Sequence, residues 1–146
     1  MTTTTGTAKT AELAEALVRL THLVQQVFNE VARQHDLTPQ QVQLLCLVAD
    51  GPVGMGELTR SLHLEKSSLT GLVDRVERRG LVARARDSHD RRACQIQLTG
   101  EGKRLAIESH HDVTGRLEAL ASELPPAERT RLTSAIARMV AADAAG

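Results

Sequence analysis

The sequence predicts a mainly α-helical chain (α+β) in which one β-hairpin interrupts a succession of helices. Apolar residues recur at spacings of three and four over most of the 146 residues, the period of a helix with one buried face. A single stretch, from Leu81 to Leu98, switches to a period of two. Phe28 is the only aromatic residue among 41% hydrophobic residues, so the core must come from Leu, Val, Ile and Ala, which suits helix-on-helix packing.

Each element has its own signal. The opening Met1 to Ala8 is Thr-rich and lacks the basic start and apolar centre of a leader, so a disordered tail is expected over residues 1–8. Leu13, Leu17, Leu20, Val24, Val27 and Val31 then form an a/d seam on a long first helix, and Leu23 and Phe28 widen the stripe. Thr38-Pro39-Gln40-Gln41 supplies an N-cap Thr, a Pro at the first helical position and a Gln at the third, opening a second helix that is expected to reach Asp50 before Gly51-Pro52. A short third helix spans Met55 to Leu62, with Leu58 and Leu62 on one side. A fourth, from Lys66 to Arg79, buries Leu69, Leu72, Val73 and Val76 and ends at Gly80. In the hairpin, Leu81, Ala83 and Ala85 are expected on one face, with Arg84 and Arg86 on the polar face. Cys94, Ile96 and Leu98 line the apolar side of the return strand. Thr99 caps a fifth helix to about Glu123, and after Pro125-Pro126 a sixth carries Leu132, Ile136, Met139 and Val140.

The formal net charge of zero conceals an asymmetry. Residues 60–104 carry eleven Lys/Arg against six Asp/Glu, a net of +5, and the rest carries seven against twelve, a net of −5. A phosphate-facing centre fits that division. No run approaches the roughly 18 apolar residues of a membrane span, so a cytoplasmic protein with no membrane partner is expected. Cys46 and Cys94 lack metal-ligand spacing and read as small buried hydrophobes, with a thiol-based redox-sensing regulator as the alternative. His110-His111 completes no metal site. There is no Gly-rich phosphate loop and no nucleophile-base set, so neither an enzyme nor a cofactor is expected.

The order helix, helix, short helix, helix, hairpin is that of a winged helix-turn-helix. The sequence thus divides into the tail, an N-terminal dimerisation helix (9–36), a DNA-binding domain (37–99) and C-terminal dimerisation helices (100–146). The outer stripes are too long to bury on so small a core, and a two-fold homodimer is the simplest way to cover them. Such a dimer would set two recognition helices about 34 Å apart, matching a palindromic operator in double-stranded DNA.

Leu37-Thr38-Pro39-Gln40-Gln41, Gly56 to Leu62, Leu72 to Val82, and Asp90-Arg91-Arg92 leading to Leu98-Thr99-Gly100-Glu101-Gly102 resemble the multiple antibiotic resistance regulator (MarR) family over residues 10–143. The Asp-x-Arg wing followed by Leu-Thr-x-x-Gly is the specific part. The resemblance implies a homodimeric, mostly helical repressor released from DNA by a small-molecule effector or an oxidant. Two positions depart from it: Gly71 stands where relatives often carry Arg, and Glu65 where a Ser or Thr cap is common.

Arg92 holds the last place of the wing pattern, where a guanidinium suits a narrow minor groove, and Asp90 is placed to orient it. Arg91 is a second groove or phosphate contact, and Arg84 and Arg86 are expected at phosphates. On the fourth helix, Lys66, Ser67, Ser68, Thr70 and Gly71 face outward, the hydroxyls near enough for base edges or phosphates. Arg75 either reaches phosphate or bonds within the domain to Asp90 or Asp74. For an effector, Arg19, His22 and His63 are the candidate polar groups of a crevice between the long helices and the winged domain. A winged-helix protein–protein adaptor, its positive wing merely solvated, is the alternative from another class.

Overall fold

A computed structural model describes residues 2–86, 89 and 93–145, with side chains described from Ala11 onward. Among these residues the chain forms α1 (Thr2–Gln34), α2 (Pro39–Leu47), β1 (Val53–Gly54), α3 (Met55–Leu62), α4 (Lys66–Arg78), β2 (Val82–Arg86), β3 (Cys94–Leu98), α5 (Gly100–Leu120) and α6 (Pro126–Ala145). The helix-turn-helix is α3–α4, and the β2–β3 hairpin is the wing. None of the described helices is long and apolar enough to cross a membrane.

The ends of the helices follow local chemistry. Thr38 caps α2 as a full capping box: its Oγ1 accepts from Gln41 N–H at 3.2 Å, and Gln41 Oε1 accepts from Thr38 N–H at 3.1 Å. The α4 terminus is a Schellman motif around Gly80 (φ +74°), with Gly80 N–H donating to Glu77 O at 2.9 Å and Leu81 N–H to Val76 O at 3.1 Å. The α3–α4 turn is made by His63 in the left-handed region (φ 53°). Three boundaries differ from the sequence expectation. The segment read as a tail is helical from Thr2, because Ala8 to Ala14 offers strong helix formers onto which the first turns propagate. Helix α2 stops at Leu47, where Val48 turns out of helical geometry, and α5 stops at Leu120.

The core gathers Val31, Val42, Leu44 and Leu45 with Leu58, with Leu69, Leu72, Val73 and Val76 of α4, and with Ile96 of β3, all buried. From α5 it takes Leu105, Ala106 and Val113. Arg79 Nη1 donates to Asp36 O at 2.6 Å, and His35 Nε2 lies 2.8 Å from Asp112 Oδ2, tying the α1–α2 junction to α4 and α5. The sheet is antiparallel in the order β1-β3-β2. Strand β1 was not expected, since two residues after Gly51-Pro52 are too short to show alternation; Val53 pairs with Ile96 and Gly54 with Gln95.

The register of the wing corrects the expected faces of β2. Val82 pairs with Leu98, Arg84 with Ile96 and Arg86 with Cys94, while Ala83 and Ala85 pair with Gln97 and Gln95. Directly opposed residues share a face, so Arg84 and Arg86 stand with Ile96 and Cys94, and the alanines stand with the glutamines. The cause is the start of the strand: Leu81 and Val82 are both buried, and β3 settles which alternate set continues the apolar face.

Two compact units result, Met1–Val113 and Thr114–Gly146, with α5 running across the boundary. The first holds the core. In the second, α6 buries no residue among those described.

Candidate nucleic-acid interface

Helix α4 divides its circumference cleanly. Leu69, Leu72, Val73 and Val76 are buried on one side, and Ser67, Ser68, Arg75 and Arg78 are exposed on the other, with Gly71 half-buried between them. Lys66 is exposed at the first position and borders a hollow of about 410 Å³ with Met55, Thr59 and Cys94. Thr70 is exposed on the flank, its hydroxyl donating to Lys66 O at 2.8 Å. Glu65 is the N-cap without a side-chain capping bond, which leaves the first N–H groups of α4 open. The first two turns therefore show short polar side chains and bare backbone.

Arg84 is exposed, but its guanidinium is engaged within the domain. Its Nη2 donates to Asp74 Oδ1 at 2.6 Å, and its Nη1 donates to Glu77 Oε1. The hydrogen bond to Asp74 is the main reason the guanidinium holds its proton more firmly than a free arginine. The pair clamps the wing to α4 and occupies both carboxylates on that edge. Sequence reasoning missed this clamp; its signal is the i, i+3 spacing of Asp74 and Glu77. Arg86 is exposed, one residue pair beyond Arg84 on the same strand face. Arg75 is exposed and makes no side-chain hydrogen bond or ion pair among the described residues, Asp74 being engaged by Arg84. Its Nη1 lies 3.4 Å from where a Cβ on Gly71 would sit. Asp90, Arg91 and Arg92 lie outside the described residues.

The root of the wing is locked. Thr99 N–H donates to Leu81 O at 3.1 Å, Thr99 Oγ1 donates to Gly80 O at 2.6 Å, and Gly102 N–H donates to Thr99 Oγ1 at 3.0 Å, so one threonine caps α5 and binds the hairpin base. A Cβ on Gly102 would fall 1.7 Å from Leu81 O. The glycine is required for that close approach.

The candidate effector residues are spread over two elements. Arg19 and His22 are exposed on α1, where Arg19 borders a shallow hollow of about 430 Å³ lined by α1 alone. His63 is exposed in the α3–α4 turn. Cys46 is half-buried on α2, and burial pushes its thiol pKa up, away from the reactive thiolate. Cys94 is also half-buried.

Comparison with known proteins gives this geometry a lineage. A model of the MarR family matches residues 35–93, from the end of α1 into the wing. The HTH-type transcriptional regulator FarR of Neisseria gonorrhoeae is 30% identical over 114 residues, spanning 77% of this chain and 78% of that protein. The homoprotocatechuate degradative operon repressor of Escherichia coli is 26% identical over 130 residues, 88% of each chain. The crystal structure of NadR in complex with 4-hydroxyphenylacetate superposes with a TM-score of 0.76 at 27% identity, covering 87% of this chain and 91% of that one. With its helix-turn-helix, its clamped wing and its Leu-Thr-x-x-Gly lock, the chain belongs to the MarR family of transcriptional regulators.

Proposed function

We propose that the protein works in the cytoplasm as a homodimeric repressor that binds a palindromic operator in double-stranded DNA and leaves it when a small-molecule effector binds. The outer side of α4 carries the reading: a helix with a full apolar face on its own core also presents an exposed stripe of short polar side chains and arginines. Ser67, Ser68, Thr70 and Lys66 contact the major-groove side, where the open N–H groups of α4 also suit a phosphate. Arg86 contacts backbone phosphate, and Arg91 and Arg92 of the wing tip reach the flanking groove, with Asp90 orienting Arg92. Arg84 acts indirectly, by fixing the wing against α4. Repression and effector release are supported by the kinship with a repressor of an aromatic-acid operon and with NadR, solved with an aromatic acid.

The test is duplex binding as a function of salt. A dimer that neutralises about 10 phosphates gives a slope near −9 for log affinity against log salt. Binding flat in salt would replace this reading with the protein–protein adaptor.

A further inference from the structure

We infer that Arg75 reads a guanine in the major groove of each half-site, its guanidinium donating to O6 and N7 from a seat that Gly71 leaves open. The inference rests on the DNA-binding reading and adds to it a specificity-determining contact. Helical side chains lean toward the N-terminus, over the residue one turn earlier. For Arg75 that residue is Gly71, and the Arg75 Nη1 lies 3.4 Å from the place a Cβ would take there. The guanidinium thus lies along the middle of the exposed stripe of α4, where Ser67 and Ser68 are short and the helix can sink far into a groove.

Charge makes the same assignment. The residues that face Arg75 one turn away on α4 are Gly71, Leu72 and Arg78, none of them acidic, and the nearby Asp74 and Glu77 are held by Arg84. Arg75 is left as a planar five-donor fork, exposed and without a partner among the described residues. Two parallel acceptors on one base edge belong to guanine, and a bidentate arginine is the commonest contact to them.

The full-length protein is used to enrich duplexes from a random-sequence pool. Binding to the winning duplex is then compared with duplexes carrying each base change, for wild type, Arg75→Ala, Arg75→Lys and Gly71→Leu. The expected consensus has one G·C pair per half-site whose replacement costs wild type about ten- to hundredfold and costs Arg75→Ala nothing. Arg75→Lys keeps the charge but loses the discrimination, and Gly71→Leu, which displaces the guanidinium, does the same with unchanged helicity by circular dichroism. On the wild type itself, 7-deazaguanine at that position removes the N7 acceptor and weakens binding. A phosphate role overturns the inference: Arg75→Ala then weakens all duplexes equally and lowers the salt slope by about 2, one contact from each protomer, while Arg75→Lys stays near wild type. If no duplex is enriched at all, the DNA-binding reading itself falls; if one is enriched with base preferences untouched by Arg75→Ala, only the guanine contact does.

Discussion

Arg75 and Arg84 bring the same guanidinium to opposite uses. Arg84 is spent on Asp74 and Glu77, and its pair is partly exposed, so its net worth to folding is about 0–1 kcal/mol. Its value lies in holding two DNA-facing elements in one geometry. Arg84→Ala is therefore expected to leave the urea midpoint almost unchanged while weakening operator binding about tenfold, the loss of roughly 1.4 kcal/mol of preorganisation. Paired urea melts and gel shifts on that variant check it; equal losses in both would mean ordinary destabilisation. At Cys46 the expectation concerns pH. Burial makes the folded thiol hold its proton to a higher pH than the unfolded one, whose ordinary value is 9.0. The contribution is whole below that value and is lost as pH climbs through the raised one. Stability should thus decline above about pH 9, and Cys46→Ala should flatten the decline in denaturant titrations.

Among the elements, the helices were legible in the sequence because each combined a spacing of three and four with a terminal signal, as at Thr38-Pro39 and Gly80. The exposed stripe of α4 followed from the same periodicity. Strand faces were less legible, since Leu81 and Val82 are adjacent and both buried, and alternation alone does not say which continues inward. That ambiguity hid the Arg84 clamp, which exists only once β3 fixes the register. The seat of Arg75 was hidden for another reason, being a side-chain direction over a particular glycine. The lock at the wing root was half legible. Thr99 reads as a cap, but the need for Gly102 appears only when α5 lies against the Leu81 carbonyl. Gly102→Ala should cost about 1–3 kcal/mol or more, because the obstructing atom is backbone held by its bond from Thr99. Thermal unfolding is the measurement, and an unchanged midpoint would show that α5 can shift away freely.

For the whole molecule, the unfinished business is apolar surface. Leu13, Val18, Leu20 and Leu23 of α1 are exposed, as are Leu132, Ile136, Met139 and Val140 of α6, with Leu13 at 60% and Val140 at 63%. Covering a Leu or Ile side chain is worth about 1.5–3 kcal/mol. A homodimer built on these helices is the proposed cover. Leu20→Glu and Ile136→Glu should then give monomers by light scattering that bind the operator far more weakly, since two half-sites no longer act together. A dimer surviving both changes would move the interface elsewhere.

The separation of duties around α4 has a consequence for how such a regulator diversifies. Ser67, Ser68 and Thr70 are exposed and pack nothing in the core, so exchanging them should shift stability by no more than about 0.5 kcal/mol each. A duplicated copy of this gene could drift to a new target through these positions alone, its scaffold untouched. Sister paralogues would then differ in address before they differ in architecture.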